Sequence, residues 1–429
     1  MHIFFSGIGG TGISALAVIA KQAGFEVSGS DARPSQYLKY LHKHGITDTY
    51  VGVDREHIAI VHAKKPIDWF VYGSAQPRDF PDHPEFAFCK ENGIKMSLRD
   101  ELLNEILLQK KLKLVAIAGT HGKTTTTAMA IWLFKQLDLP LSYSVGAKLS
   151  FGELALYDSK SQYFVYEADE YDRNFLSFYP YRSAITGIDW DHPDIYPTRE
   201  AYLDAFKEFL DQSQWALLWH DDADQLGLPA AHNRRILDRQ EPDIDKIKLQ
   251  GRVNRENAWL IAQTVSQITK KPIGELIELL NQFPGLSRRF EEISPCIYTD
   301  YAHTPPKIRG ALQLAHEAAA DKVVVVYEGL HNTRQHFIKD ELKHLFDRVM
   351  HLYIVPSYLA REDESLELLT PSKMLDLLSN KARGHSEAAE LNDELIVKLK
   401  NHAQHGDTVL ALSAGGADSL DEWLRQNFR

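Results

Sequence analysis

Cysteine is nearly absent from this chain. Cys89 and Cys296 are the only two in 429 residues, and their separation gives neither a disulfide framework nor a thiolate metal site. That scarcity suits a reducing compartment, so a cytoplasmic protein is expected. Long apolar runs are missing as well. None approaches the roughly 18 residues a membrane-crossing helix needs, and no membrane is expected among its partners. The opening Met1-His-Ile-Phe-Phe-Ser-Gly7 has no basic stretch and runs straight into glycines, unlike a signal peptide. There is no Lys/Arg block and the formal net charge is −11, which argues against nonspecific binding of nucleic acid. An anionic small substrate stays open, because it needs only a local basic site. No internal repeat or low-complexity tract stands out.

What is present is an ordinary globular composition, 44% hydrophobic and 25% charged, with length for two to four domains. Three α/β segments are readable. The first has strand-like runs at 1–6, 25–30 and 68–73, with an amphipathic stretch through Gln22. The second begins at Lys113 and has strands at 162–167 and 182–189. The third begins near Arg288 and has strands at 322–327, 349–356 and 408–413. Strand-helix alternation predicts parallel, doubly wound sheets. Charged Leu108–Leu112 and the Phe283-Pro-Gly-Leu286 break divide the chain into 1–110, 111–286 and 287–429. Residues 221–250 are polar and poorly periodic, and no element is assigned there.

The most informative stretch is Leu114-Val-Ala-Ile-Ala-Gly-Thr-His-Gly-Lys-Thr-Thr-Thr-Thr127. An apolar, β-prone run ends in glycines and a helix-forming segment follows, which is the layout of a phosphate cradle. Backbone amides of Gly119, Thr120, His121 and Gly122 wrap the anion, Lys123 neutralises it, and Thr124, followed by Thr125, ligates Mg²⁺. Ile117 stands where the first glycine of the general G-x-x-x-x-G-K-[ST] form would be. The earlier cluster Gly7/Gly9/Gly10/Gly12, with Asp31 about twenty residues on, reads as a second pyrophosphate-binding turn with an acid for a ribose hydroxyl. On its own it also fits a nucleotide-dependent dehydrogenase, which would leave the second phosphate loop superfluous.

Acids and basic groups follow in order. Glu167-Ala-Asp-Glu170, with Asp172, lies at a strand's end, where Glu167 is placed to hold Mg²⁺ beside phosphates. Asp191-His192 follows the next strand and offers a second metal ligand. Asn254 or Asn257 could cap the apolar helix behind them or read a base edge. Arg288-Arg289 is a candidate phosphate-binding pair. Asp300-Tyr-Ala-His303 puts an acid and a histidine at a strand-to-loop junction, and Arg334 could fork onto a carboxylate. Lys207 reads as a surface lysine.

In this order the motifs resemble those of the Mur ligase family, over essentially the whole chain. Gly7–Ser14 and Gly29-Ser-Asp31 are similar to its UDP-sugar domain. Gly119–Thr126, Glu167–Glu170 and Asp191-His192 resemble its ATP and magnesium motifs, and Asn257, Arg288–Phe290 and Asp300–His303 its later ones. The resemblance implies three α/β domains: a Rossmann-like UDP-sugar domain, a central P-loop ATPase domain and a C-terminal Rossmann-like domain for the incoming amine. It implies an ATP- and Mg²⁺-dependent amide ligase acting on UDP-N-acetylmuramate with an amino acid or short peptide, as a monomer or homodimer. Gly7, Gly9, Gly10, Gly12, Asp31 and Ser74 would hold the UDP-sugar. Lys123, Glu167, His192, Arg289 and His303 would be catalytic, with Thr124, Glu167 and His192 on metal. The nucleotide would meet Gly119–Thr125, Asn257, Arg288, Arg289 and Asp300, and the amine His303 and Arg334. Parts drawn from three domains imply closure during turnover. L-alanine is the expected amine. The alternatives are the tripeptide L-Ala-γ-D-Glu-diaminopimelate and, in another class, an idle relative serving as a nucleotide-binding regulator. Departures touch the amine side: alanine-adding members have a His-Arg-Tyr-Thr-Arg run where this chain has Leu330-His-Asn-Thr-Arg334, and Thr304 replaces a histidine. Val253 replaces the usual histidine before Asn254, and Lys207 falls near a carbamylated lysine of sister enzymes.

Overall fold

The computed structural model describes residues 1–73, 76, 83–192, 195–359, 362–363, 365–416 and 418–428. Three sheets carry the architecture, as expected. The first holds β1 (His2–Ser6), β2 (Glu26–Asp31), β3 (Thr49–Val51), β4 (Trp69–Tyr72) and β5 (Lys95–Leu98), in the order β3-β2-β1-β4-β5. All its pairings are parallel. Helices cover both faces of such a sheet, so its central strand is buried throughout. Ile3 and Phe5 enter one core, and Phe4 enters the core on the other side. The strand order reverses beside β1, which opens a crevice at the carboxyl ends of β1 and β4.

The second sheet contains β6 (Lys113–Ala118), β7 (Ser142–Ser144), β8 (Ala155–Leu156), β9 (Tyr163–Glu167), β10 (Arg182–Ile185), β11 (Ala216–Trp219) and β12 (Arg234–Leu237). Its order is β12-β11-β10-β6-β9-β7-β8, parallel except for β7 with β8. Central β6 is buried from Leu114 to Ala118, and the helix Lys123–Gln136 starts after the loop 119–122 that follows it. The third sheet contains β13 (Glu291–Ser294), β14 (Ile297–Asp300), β15 (Val323–Leu330), β16 (His351–Tyr358), β17 (Ser386–Ala388) and β18 (Thr408–Leu412), ordered β13-β14-β18-β15-β16-β17. Only β13 with β14 is antiparallel.

The described chain forms two compact units, Met1–Ile247 with Asn257–Phe283, and Lys248–Glu256 with Pro284–Arg429. In the first, one continuous core runs from Ile3 through Phe164 to Leu226, so the first two sheets share packing.

Three local expectations need correction. The strand expected over 182–189 ends at Ile185, and Gly187 at φ 155 follows it. Residues 221–250 are not structureless: they hold the helix His220–Leu226, β12 and a 3₁₀ turn, Pro242–Lys246. Asn254 and Asn257 are not caps, since the helix Arg252–Thr269 starts before both. The Asn254 amide donates instead to the Gln250 carbonyl at 2.9 Å. No helix among the described residues is long and apolar enough to cross a membrane.

Candidate active site

The glycine turn after β1 is held tight by its own hydrogen bonds. Gly7 takes φ 71, and the Gly9 amide donates to Asp31 Oδ2 at 2.8 Å. Ser35 Oγ donates to the Gly9 carbonyl at 3.0 Å. A Cβ on Gly9 would lie 2.6 Å from Ser35 Oγ and 2.9 Å from Asp31 Oδ2, so any larger residue must displace these two side chains. Gly10 precedes the helix Thr11–Gln22, and Arg99 lies against Gly12. In this state Asp31 is spent on the turn itself. Ser74 lies outside the described residues. Beneath the turn Glu85 is fully buried, accepting from Ser6 Oγ at 2.5 Å and from Ser30 Oγ.

The second cradle sits at the carboxyl end of β6. Gly119 (φ 133) and Gly122 (φ 76) supply backbone angles that other residues resist. Thr120 is locked on both sides, with its amide donating to Gly187 O at 2.8 Å and its hydroxyl 2.8 Å from Tyr202 OH. His121 Nε2 lies 3.2 Å from Asp189 Oδ2. A Cβ on Gly122 would meet Asn257 Nδ2 at 2.6 Å, so the 257 side chain lies against the loop. Lys123, Thr124 and Thr125 form the first turn of the helix. Lys123 Nζ donates to Gly119 O at 2.7 Å and to Glu170 Oε2 at 2.5 Å, with Asp169 Oδ1 at 3.8 Å. Burial works against the lysine's charge, but the Glu170 and Asp169 carboxylates outweigh it and hold its pKa above the ordinary value. Thr124 Oγ1 donates to Glu167 Oε1 at 2.7 Å, and the Gly146 amide donates to Glu167 Oε2 at 3.0 Å.

Thr124 and Glu167 therefore present adjacent hydroxyl and carboxylate oxygens, the hard donors that suit Mg²⁺. No cluster of three or more His, Cys, Asp or Glu ligands occurs among the described residues. An incoming ion would thus need phosphate or water oxygens as well, which is usual for Mg²⁺ beside nucleotides. His192, at φ 58, is placed with Glu170: its Nε2 is 3.7 Å from Glu170 Oε1 and 3.8 Å from Asp191 Oδ2. Lys207 pairs with Asp204 on its own helix at 3.3 Å.

In the second unit, Arg288 and Arg289 have their guanidinium carbons 4.8 and 5.3 Å from the centre of the Tyr301 ring. Arg288 Nη2 donates to the Gly415 carbonyl at 3.0 Å, and its Nε is 3.3 Å from Asp421 Oδ2. The arginine expected on phosphate thus serves as a brace between chain segments here. Asp300 Oδ2 accepts from the Phe290 amide at 2.8 Å. Burial raises the Asp300 carboxyl to about 6, with Arg289 and Arg288 pulling it down. His303 is 7% exposed and its Nδ1 has no hydrogen-bond partner among the described residues. Burial, then the positive fields of Lys307, Arg334 and Arg289, keep it neutral, its pKa well below the usual histidine value. The ring stands edge-on to Tyr301, with centres 5.3 Å apart. Arg334 lies in the first turn of the helix Asn332–Leu342.

Sequence reasoning did not single out two acids of the middle sheet. Glu170 was one of several acids after β9, and nothing local marks it as the partner of a lysine 47 positions earlier. Asp222 lay in the unassigned region. It accepts from the Ile188 amide at 2.8 Å, and burial raises its carboxyl to about 7. The acidic first turn His220-Asp-Asp222 after an apolar strand was the available signal.

Comparison with known proteins places this geometry. The sequence matches the Mur ligase family catalytic domain over residues 2–111, the Mur ligase middle domain over 117–237, and the Mur ligase glutamate ligase domain over 288–415. A UDP-N-acetylmuramate–L-alanine ligase of Porphyromonas gingivalis is 31% identical over 98% of this chain and 97% of its own. Among solved structures, the UDP-N-acetylmuramate–alanine ligase of Thermotoga maritima shares the fold at a TM-score of 0.70, with 23% identity over 97% of this chain and 96% of that one. The UDP-N-acetylmuramate:L-alanyl-γ-D-glutamyl-meso-diaminopimelate ligase of Neisseria meningitides superposes at 0.57, with 26% identity over 67% of this chain and 99% of its own. Matched along all three sheets and nearly end to end by its relatives, this chain belongs to the Mur ligase family.

Proposed function

We propose that this protein is an ATP-dependent ligase that joins L-alanine to the lactyl carboxylate of UDP-N-acetylmuramate. The observation that supports it most is the near end-to-end likeness to alanine-adding relatives, at up to 31% identity, in a chain that keeps the Lys123/Thr124/Glu167 cradle. In this reading Lys123 neutralises the β- and γ-phosphates, and Asn257 lies where it can meet the nucleotide beside Gly122. Thr124 and Glu167 hold Mg²⁺, with His192 as a further ligand; bound there, the ion offsets charge that builds on the phosphates. The Gly7–Gly12 turn takes the UDP-sugar. An oxygen of the lactyl carboxylate bonds to the γ-phosphorus as its bond to ADP breaks, giving an acyl phosphate. The amine nitrogen then bonds to the acyl carbon, phosphate leaves, and the amine loses a proton. Such chemistry depends on positioning and charge neutralisation rather than on a protein nucleophile. In the second unit, neutral His303 and cationic Arg334 are assigned to the amine and its carboxylate. A cytoplasmic location fits an ATP-using enzyme with two free thiols.

A second acceptor, the L-Ala-γ-D-Glu-diaminopimelate tripeptide, fits the likeness to the Neisseria meningitides ligase named for it. In the segment Leu330–Arg334 the Asn332 side chain is consumed structurally, donating to Glu367 O at 3.1 Å and accepting from the Leu369 amide at 2.9 Å. The Thr333 amide is held by Glu362 at 2.9 Å, which leaves Arg334 as the cation for a carboxylate. Phosphate release with ATP, Mg²⁺ and UDP-N-acetylmuramate decides between them. Stimulation by L-alanine alone supports the main reading, and stimulation by tripeptide alone replaces it. Silence with both, and with other amino acids, removes the ligase reading in favour of a nucleotide-binding regulator.

A further inference from the structure

Glu170 is a buried acid that the mechanism above does not use. It is 1% exposed. One carboxylate oxygen is 2.5 Å from Lys123 Nζ; the other has no hydrogen-bond partner among the described residues and faces His192 Nε2 at 3.7 Å. Its backbone carbonyl is pinned by Tyr196 OH at 2.6 Å, and Tyr196 is itself 1% exposed. The backbone that carries the acid is therefore held in place. Lys123 meanwhile folds back on its own loop through Gly119 O at 2.7 Å, so two of its three ammonium donors are taken by protein oxygens.

We propose that Glu170 is a positioning residue of the nucleotide site: it parks Lys123 against the loop, and phosphate must displace it as the lysine's counter-ion. The physical reason is competition. A buried ammonium needs a compensating anion, and Glu170 and a phosphate oxygen are alternative candidates for that place. With nucleotide absent, Glu170 fills it and keeps the loop ordered. With nucleotide present, the lysine is shared, and the affinity measured is the phosphate's gain less the pair's loss. The inference rests on the nucleotide part of the proposed function and not on which amine is used.

Glu170→Gln keeps the shape and removes the charge. Lys123 is then left without full compensation until phosphate arrives, so the variant should melt lower than the wild type without ligand yet bind nucleotide more tightly. The expected result is a dissociation constant for ATP at least tenfold lower than wild type, measured calorimetrically both with EDTA and with Mg²⁺, together with a larger thermal shift on adding ATP. A merely structural role would lower the melting temperature without tightening ATP. Unchanged affinity overturns the proposal. Weaker affinity seen only with Mg²⁺ also overturns it, because Glu170 would then be holding the metal. Should Glu170→Gln fail to fold, Glu170→Asp, which withdraws the same charge by one methylene, must shift ATP affinity in the same direction. Absence of ATP binding by the wild type would instead defeat the nucleotide reading itself.

Discussion

The carboxyl of Glu85 lies at the carboxyl ends of β1 and β2, fully buried, with two serine hydroxyls and, among the described residues, no lysine or arginine paired with it. His83 Nδ1 is 3.9 Å away, and burial lowers that ring's pKa. At longer range Asp54 raises the carboxyl and His57 lowers it. Burial dominates and pushes Glu85 from 4.5 to about 7, against the pull of Ser30 and Ser6. Between those values the unfolded chain has released the proton that the native state retains. The native state thus binds more protons in that window, and stability must fall as pH rises from 4.5 to about 7, then level off. At about 1.4 kcal/mol per pH unit, the loss attributable to this one group is about 3 kcal/mol. Glu85→Gln removes the titration while its amide still accepts one serine hydroxyl. It should match the wild type near pH 4.5 and exceed it by about 2–3 kcal/mol at pH 8, allowing for one imperfect hydrogen bond. Asp100 and Asp222 are raised by burial to about 6 and about 7 and slope the same way, so the difference between the two proteins is the quantity to read. Amide exchange of β1 and β2 in urea, from pH 4.5 to 8, reports that region alone. Parallel pH curves for the two proteins would refute the reasoning.

The other expectations follow from single contacts. Lys123→Ala should cut ATP-dependent phosphate release by roughly 10²–10³-fold, the usual cost of removing a preorganised donor from a charged transition state, while calorimetry still detects UDP-N-acetylmuramate. Gly119→Ala strains a φ of 133 and drives a methyl onto Thr186 and to 2.9 Å from Gly187 O. It should cost about 1–3 kcal/mol in denaturant midpoint and weaken ATP binding. Arg334→Ala should raise KM for the amine roughly 10–100-fold, the worth of a hydrogen bond to a charged group, with KM for ATP unmoved. Phe175 is fully buried and stacks on Phe209 at 4.8 Å. Phe175→Ala should therefore cost about 3–5 kcal/mol, seen as a lower melting temperature with the fold's circular dichroism retained.

Elements whose signals are local in sequence were legible in advance. The strand β15 buries both faces, and four consecutive valines announce it before any contact is known. The phosphate loop is equally local, since its glycines, lysine and threonine are consecutive and follow an apolar strand. Two kinds of feature were not legible. A helix start can be misplaced when the true first turn carries its own stabilisation. Gly251, at φ 87, breaks the preceding chain, and Arg252 reaches Glu256 at 2.9 Å across one turn, so the helix begins before the asparagines that looked like its caps. The polar run 221–250 hid β12 because an edge strand of four residues buries too little to show a pattern.

The division of labour among the acids after β9 is the harder case, and the reason is geometric. Glu167 is the last residue of that strand, in register with Ile117 of β6, so its carboxylate falls beside the helix that starts with Lys123 and Thr124. Ala168 still donates to Ile117 O at 2.9 Å, which carries the chain one step further along the strand's direction. Glu170 then sinks under the loop, where Tyr196 holds its carbonyl and Lys123 its side chain. Asp172 and Arg173, at φ 55 and 58, turn the chain away through a left-handed bend, and the Arg173 guanidinium pairs with Glu208 at 2.8 Å. Glu167 and Glu170, three positions apart, thus acquire different partners through strand register and one tyrosine 26 residues downstream. Composition and spacing carry neither quantity. That is why the acidic segment announced a site while leaving open which carboxylate faces the lysine.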